Sequence, residues 1–212
     1  MIKQLFWLMV WGVAFGYIEA SVVVYLREIY YPEGFAFPLV IIQDHIMLTE
    51  IIREAVTLLI IWATVCLSYR KLQSRIAAYI VLFGIWDIFY YLFLKLLLNW
   101  PESLGTLDIL FLIPVPWVGP VWAPVLVSLG FIYAGMAILI RNHQNHFFQF
   151  GKGFIVFELI AALLIIISFI IPGSSVIEQS LPTHFPSYLF FIGFLTGVGI
   201  FLYYFNSSEH TK

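Results

Sequence analysis

Charge is what this sequence has least of. Only 10% of its 212 residues are Asp, Glu, Lys or Arg, whereas 62% are hydrophobic. An average soluble domain carries about 25% charged residues. A chain so poor in charge cannot cover a water-facing surface, so most of its surface faces lipid. Basic clusters are missing too: the formal net charge is −2, and no Lys/Arg patch offers a footprint for nucleic acid. The lone cysteine, Cys66, excludes an intramolecular disulfide and says nothing about compartment. There is no G-x-S-x-G, no H-E-x-x-H, no Walker loop and no G-x-G-x-x-G, so the chain carries no nucleotide-binding or hydrolase signature. No histidine falls in mid-membrane, which argues against a haem held by two bundle histidines.

Long apolar runs are what the sequence does have. A helix needs about 20 apolar residues to cross ~30 Å of hydrocarbon. Six stretches qualify: Leu5 to Leu26, Ile46 to Tyr69, Ile76 to Asn99, Pro120 to Ile140, Phe154 to Ile171 and Tyr188 to Phe205. Each is expected to be helical, because lipid offers no partner to an unpaired backbone amide or carbonyl. The first run is about twice as long as the core of a secretory signal and contains Glu19, so it reads as a retained helix. The expected fold is therefore all-α, a polytopic bundle of about six transmembrane helices forming a single integral membrane domain over residues 1–212.

If six helices alternate, Lys3, Arg70, Lys71, Arg75, Arg141, Lys152 and Lys212 share one side. The opposite loops hold Glu28, Glu33, Asp44, Glu102, Asp108 and Glu178, with Arg27 at their edge. The positive-inside rule then makes both termini cytoplasmic, in a plasma membrane of the bacterial inner-membrane type.

The few charges inside the spans are unevenly shared. Glu19, Glu50, Arg53, Glu54, Asp87 and Lys95 fall in the first three, and only Glu158 falls in the last three, near their cytoplasmic end. That asymmetry argues against the inverted repeats of many transporters. Helix rise places Glu19 ~10 Å, Glu50 ~6 Å, Glu54 ~12 Å and Asp87 ~16 Å from the outer edge. All four carboxylates thus belong to the outer half. Glu50, Arg53 and Glu54 share one helix face, and Asp87, Tyr91 and Lys95 repeat every fourth residue with Tyr90 adjacent. Gly12, Gly16 and Ala20 form a small-residue ridge, and Glu19 at its border is expected to face protein.

A charge at the bilayer centre costs about 2.5–3.5 kcal/mol on insertion scales, so these groups must pair, protonate or face a wet cavity. Arg53 and Lys95 can neutralise two of the four carboxylates, which leaves two for protons or a bound cation. The candidate site is therefore Glu19, Glu50, Arg53, Glu54, Asp87, Tyr91 and Lys95, binding or translocating a proton, a cation or a small cationic solute. A metal cation held by Glu19, Glu50, Glu54 and Asp87 is one version, with Asp44 and His45 as further outer ligands. A helix cap beside an interfacial histidine is the plainer account of Asp44 and His45. Two other functional classes fit the same residues. One is a small membrane subunit of a larger complex, with structural ion pairs and partner contacts, or homo-oligomer contacts, through small-residue faces. The other is an intramembrane enzyme for a lipid-like substrate, with Glu54 or Glu50 as base and Arg53 or Lys95 holding an anion.

The stretch Trp100 to Pro124 carries Pro101, Pro114, Pro116, Pro120 and Pro124, a density that forbids a continuous helix. Residues 100–118 are expected to lie at the outer interface or re-enter it, roofing the polar layer. The segment Tyr30 to Leu39 has the same character. His143 and His146 read as solvated loop residues, Gly193 and Gly197 as a packing face, and Glu158 as a residue that snorkels or pairs with Lys152.

Overall fold

The computed structural model describes residues 2–148 and 151–207; Lys212, counted above among the basic residues, lies outside the described residues. The chain is mostly helical, and six of its helices are long and apolar enough to cross a membrane. They are α1 (Ile2–Tyr30), α2 (Asp44–Ser68), α3 (Leu72–Leu98), α4 (Trp122–His143), α5 (Lys152–Ile177) and α6 (Ser187–Ser207). Local chemistry sets their ends. α1 has no proline and stops just before Pro32, whose ring disfavours helix in the residue ahead of it. α3 ends at Asn99, which adopts the left-handed conformation (φ 52°) that Asn tolerates, and Pro101 follows.

The chain is mostly helical rather than all-α, and some helix ends differ from the expected ones. Leu107–Phe111 (β1) and Trp117–Pro120 (β2) form an antiparallel hairpin, with Asp108 opposite Gly119 and Ile109 opposite Val118. The two strands pair the backbone groups that face each other across the ladder. Pro114 and Pro116 fall in the connection between strands, where no ladder N–H is needed. The fourth helix begins at Trp122, since Pro120 closes β2. The fifth runs through Pro172 to Ile177 rather than ending at Ile171.

Small residues set how the helices pack. α1 lies on α3 along the Gly12–Gly16–Ala20 ridge, where a Cβ on Gly16 would meet the Trp86 carbonyl oxygen at 3.0 Å. α3 lies on α4 in the same way, with Gly84 against the Ser128 carbonyl. α5 and α6 form a second close pair through Gly193, which faces the Ala161 carbonyl. The hairpin joins the two groups. β2 crosses α5 where Gly173 packs directly on the Pro116 carbonyl, and Trp117 stacks on Phe169. Beneath it Phe169, Phe185 and Phe190 make a buried aromatic cluster.

α2 is the exception. It leans on α3 through Ile61 and Val65 but makes scarcely any close backbone approach to α1. The space left between them, roofed by the hairpin, is where the charges gather.

Candidate functional site

The helical period places Glu50, Arg53, Glu54 and Thr57 on one face of α2, opposite Glu19 of α1. Arg53 is the hub. Its Nη1 donates to Glu19, and its Nε and Nη2 donate to Glu50 Oε2 at 2.9 and 2.7 Å. Thr57 donates to the other Glu19 oxygen at 2.9 Å. Glu19 and Glu50 are thus buried but satisfied, and their shared cation bridges α1 to α2 across the gap.

Glu54 lies one residue on and takes no share of that cation. Both of its oxygens accept the backbone N–H of Leu112, just past β1, at 3.1 and 2.8 Å. Asp87 of α3 is buried, and Ser128 of α4 donates to it at 2.8 Å. Neither carboxylate has an ion-pair partner among the described residues.

The hairpin supplies a fifth carboxylate. Asp108 is almost completely enclosed, accepts from Arg27 Nη2 at 3.0 Å, and accepts from the Tyr91 hydroxyl at 3.2 Å. The Arg27 guanidinium lies against two rings set edge to face, Trp100 (3.7 Å to the ring centre) and Phe35 (4.4 Å), which offsets part of its desolvation. Burial pushes the Asp108 carboxyl up to about 6, against the pull of Arg27 and the Ile109 N–H.

These groups surround one cavity of about 160 Å³. Its wall includes Glu19, Glu50, Glu54, Asp87 and Asp108, both guanidiniums, Tyr90, Tyr91 and Trp86. By the same measure a single water needs roughly 10–15 Å³, so the space has room for a polyatomic group. Five carboxylates face two cations there. Among the described residues three buried side-chain donors have no hydrogen-bond partner, Arg27 Nη1, Trp86 Nε1 and Trp117 Nε1.

The placement differs from the expected one in definite ways. Glu19, Glu50, Arg53, Glu54, Asp87 and Tyr91 line the cavity, but Lys95 does not. Its exposed ammonium donates to the Asn99 and Pro101 carbonyls (3.2 and 3.0 Å), because one further turn along α3 carries it to the helix end, where carbonyls lack partners. Arg27 takes the place assigned to it. Asp44 and His45 are exposed and outside the cavity wall, and no grouping of three or more His, Cys, Asp or Glu suited to a metal occurs among the described residues. Glu158 makes no ion pair with Lys152 among the described residues; its Oε1 is buried without a partner, beside Gly197.

Sequence reasoning missed Arg27, Asp108, Thr57 and Ser128. Arg27 continues the face of Glu19 and Val23 at four-residue spacing, and Thr57 continues that of Glu50 and Glu54. Asp108 is the lone charge between Leu107 and Trp122, which is a signal in itself. Ser128 had none. Comparison with protein-family models, with characterised proteins and with solved structures finds no match for the chain.

Proposed function

We propose that this is a multi-pass protein of a bacterial-type plasma membrane, with both termini cytoplasmic, that binds or translocates a cation through the cavity between α1, α2, α3 and the hairpin. The cation is a proton or a small cationic solute. The observation that carries the reading is the charge balance of the cavity wall: five carboxylates against two guanidiniums, with Glu54 and Asp87 served only by neutral donors. A network built solely to fix helix packing needs Arg53 between Glu19 and Glu50 and Arg27 on Asp108, and those pairs exist. It has no need of the buried Asp87 and the half-buried Glu54, because burying a charge without a counter-charge is unfavourable. Aromatic walls from Tyr90, Tyr91 and Trp86 suit an organic cation, and the acidic loops at that end would concentrate cations.

The test is calorimetric titration of the purified protein with tetramethylammonium, a compact cation. Glu54→Gln and Asp87→Asn keep an acceptor for Leu112 and Ser128 but remove charge. Each is expected to weaken binding tenfold or more, about 1.4 kcal/mol. Wild-type affinity in both variants would end the proposal.

A further inference from the structure

We infer that the ligand is an amphipathic organic cation, an ammonium carried on an apolar body about as large as a phenyl ring. Its ammonium lies at the inner end of the cavity, and its body lies beneath residues 31–43, the connection between α1 and α2. This rests on the cation reading above and names the substrate class of the same site.

The wall of the cavity changes character along its depth. Glu19, Glu54 and Asp87 stand at the inner end, with Arg53 and Thr57 beside them. Seven residues of helix rise, roughly 10 Å, separate Glu19 from Leu26 on α1 and Glu54 from Met47 on α2. At that outer level the wall is Leu26, Tyr30 and Met47, with Leu39 and Ile42 from the connection, all half-buried. The charges near it are already matched, Arg27 with Asp108 and Glu50 with Arg53. The carboxylates that lack a cation therefore lie at one end and the apolar side chains at the other. Asp87 is 8% exposed, and Ser128 donates only to its Oδ2; no donor among the described residues serves Oδ1. A buried carboxylate oxygen without a donor, in the wall of a cavity, marks the place of a missing partner.

Size separates this ligand from a bare cation. The cavity of about 160 Å³ corresponds to roughly ten water-sized positions. A compact cation at the carboxylates fills the inner end alone. Water left in the outer part finds few hydrogen bonds, because the side chains of Leu26, Leu39, Ile42 and Met47 offer none. An apolar body displaces that water and is buried against those side chains, a gain that grows with the area covered. A wholly apolar molecule would cover the same side chains but leave Glu54 and Asp87 without a counter-charge. A molecule with both parts serves both ends.

The experiment titrates the full-length protein in maltoside micelles, with protein-free micelles as the blank. Phenylethylammonium has charge and body; ethylammonium lacks the ring; phenylethanol has the ring and no charge; tetramethylammonium is the compact cation of the test above. Phenylethylammonium is expected to bind at least tenfold more tightly than each of the others. If ethylammonium or tetramethylammonium binds as tightly, the amphipathic inference fails while the cation reading stands. If phenylethanol binds as tightly, the inference fails, and if tetramethylammonium then does not bind, the cation reading fails with it. If neither phenylethylammonium nor tetramethylammonium binds, both fail. Two substitutions address the apolar end. Leu39→Asn and Ile42→Asn lie in the connection, outside the helices, and each should cut the preference for phenylethylammonium over ethylammonium several-fold. An unchanged preference in both variants overturns the placement of the body beneath the connection.

Discussion

α1 with α2, and α5 with α6, are both pairs of sequence-adjacent apolar helices, yet they are held together by opposite means. α5 and α6 meet backbone to backbone through Gly193, and the carboxylate beside their contact, Glu158, has no ion-pair partner among the described residues. α1 and α2 stay apart and are joined by a guanidinium shared between two carboxylates. Close packing needs no polar groups and leaves no room. Polar bridging spans a distance, and that distance is a cavity. The contrast teaches that in this molecule the charges are the reason the site has space.

The largest effect should come from removing the bridge. Arg53→Met leaves Glu19 and Glu50 facing each other without a cation and should destabilise the protein by about 3 kcal/mol, the lower end for breaking a buried pair because Arg53 is partly exposed. Thermal unfolding in detergent measures this, and a wild-type midpoint would mean that α1 and α2 are held by something else. Next comes the close-packed side of the comparison. Gly173→Ala puts a methyl into the Pro116 carbonyl and should cost ~1–3 kcal/mol by overpacking. Tolerance of alanine there would show that the hairpin does not depend on intimate contact with α5.

A pH effect should be smaller. The Asp108 carboxyl is raised to about 6 from its ordinary 3.8, so the folded chain holds that proton more tightly than the unfolded one. Its contribution is therefore full below about 3.8 and is lost as pH rises through about 6, by roughly 1–3 kcal/mol. Unfolding midpoints between about pH 4 and pH 7 should fall for the wild type and fall less for Asp108→Asn. Equal slopes would break this assignment. Smallest of all should be Glu158→Gln, within about 1 kcal/mol, because it removes a carboxylate that has no ion-pair partner among the described residues. Tetramethylammonium affinity should not change, and a loss would show that α5 and α6 are more than support.

The spans were legible because lipid imposes one rule on every residue in it, and a run of some 20 apolar residues satisfies few other structures. The face Glu50–Arg53–Glu54 and the ridge Gly12–Gly16–Ala20 were legible because they lie within single helices, where spacing fixes direction. The hairpin was not. Leu107 to Phe111 is half-buried at every position but Asp108, so it shows no clean alternation, and Asp108 looks like another loop acid. Lys95 was misplaced for a related reason. Periodicity says which way a side chain points but not whether the helix end is close enough to claim it. Ser128 depends on α4 lying against α3 at Gly84, a long-range fact with no local trace.

The bond from the Leu112 amide to Glu54 has a consequence in time as well as in space. Its hydrogen is held by a site carboxylate rather than by the hairpin ladder, so its protection from exchange with solvent depends on how that carboxylate is occupied. A ligand that engages Glu54 must share it with Leu112 or displace it. Deuterium uptake at this single amide would then run faster or slower with occupancy, a clock read from the backbone without labelling the ligand.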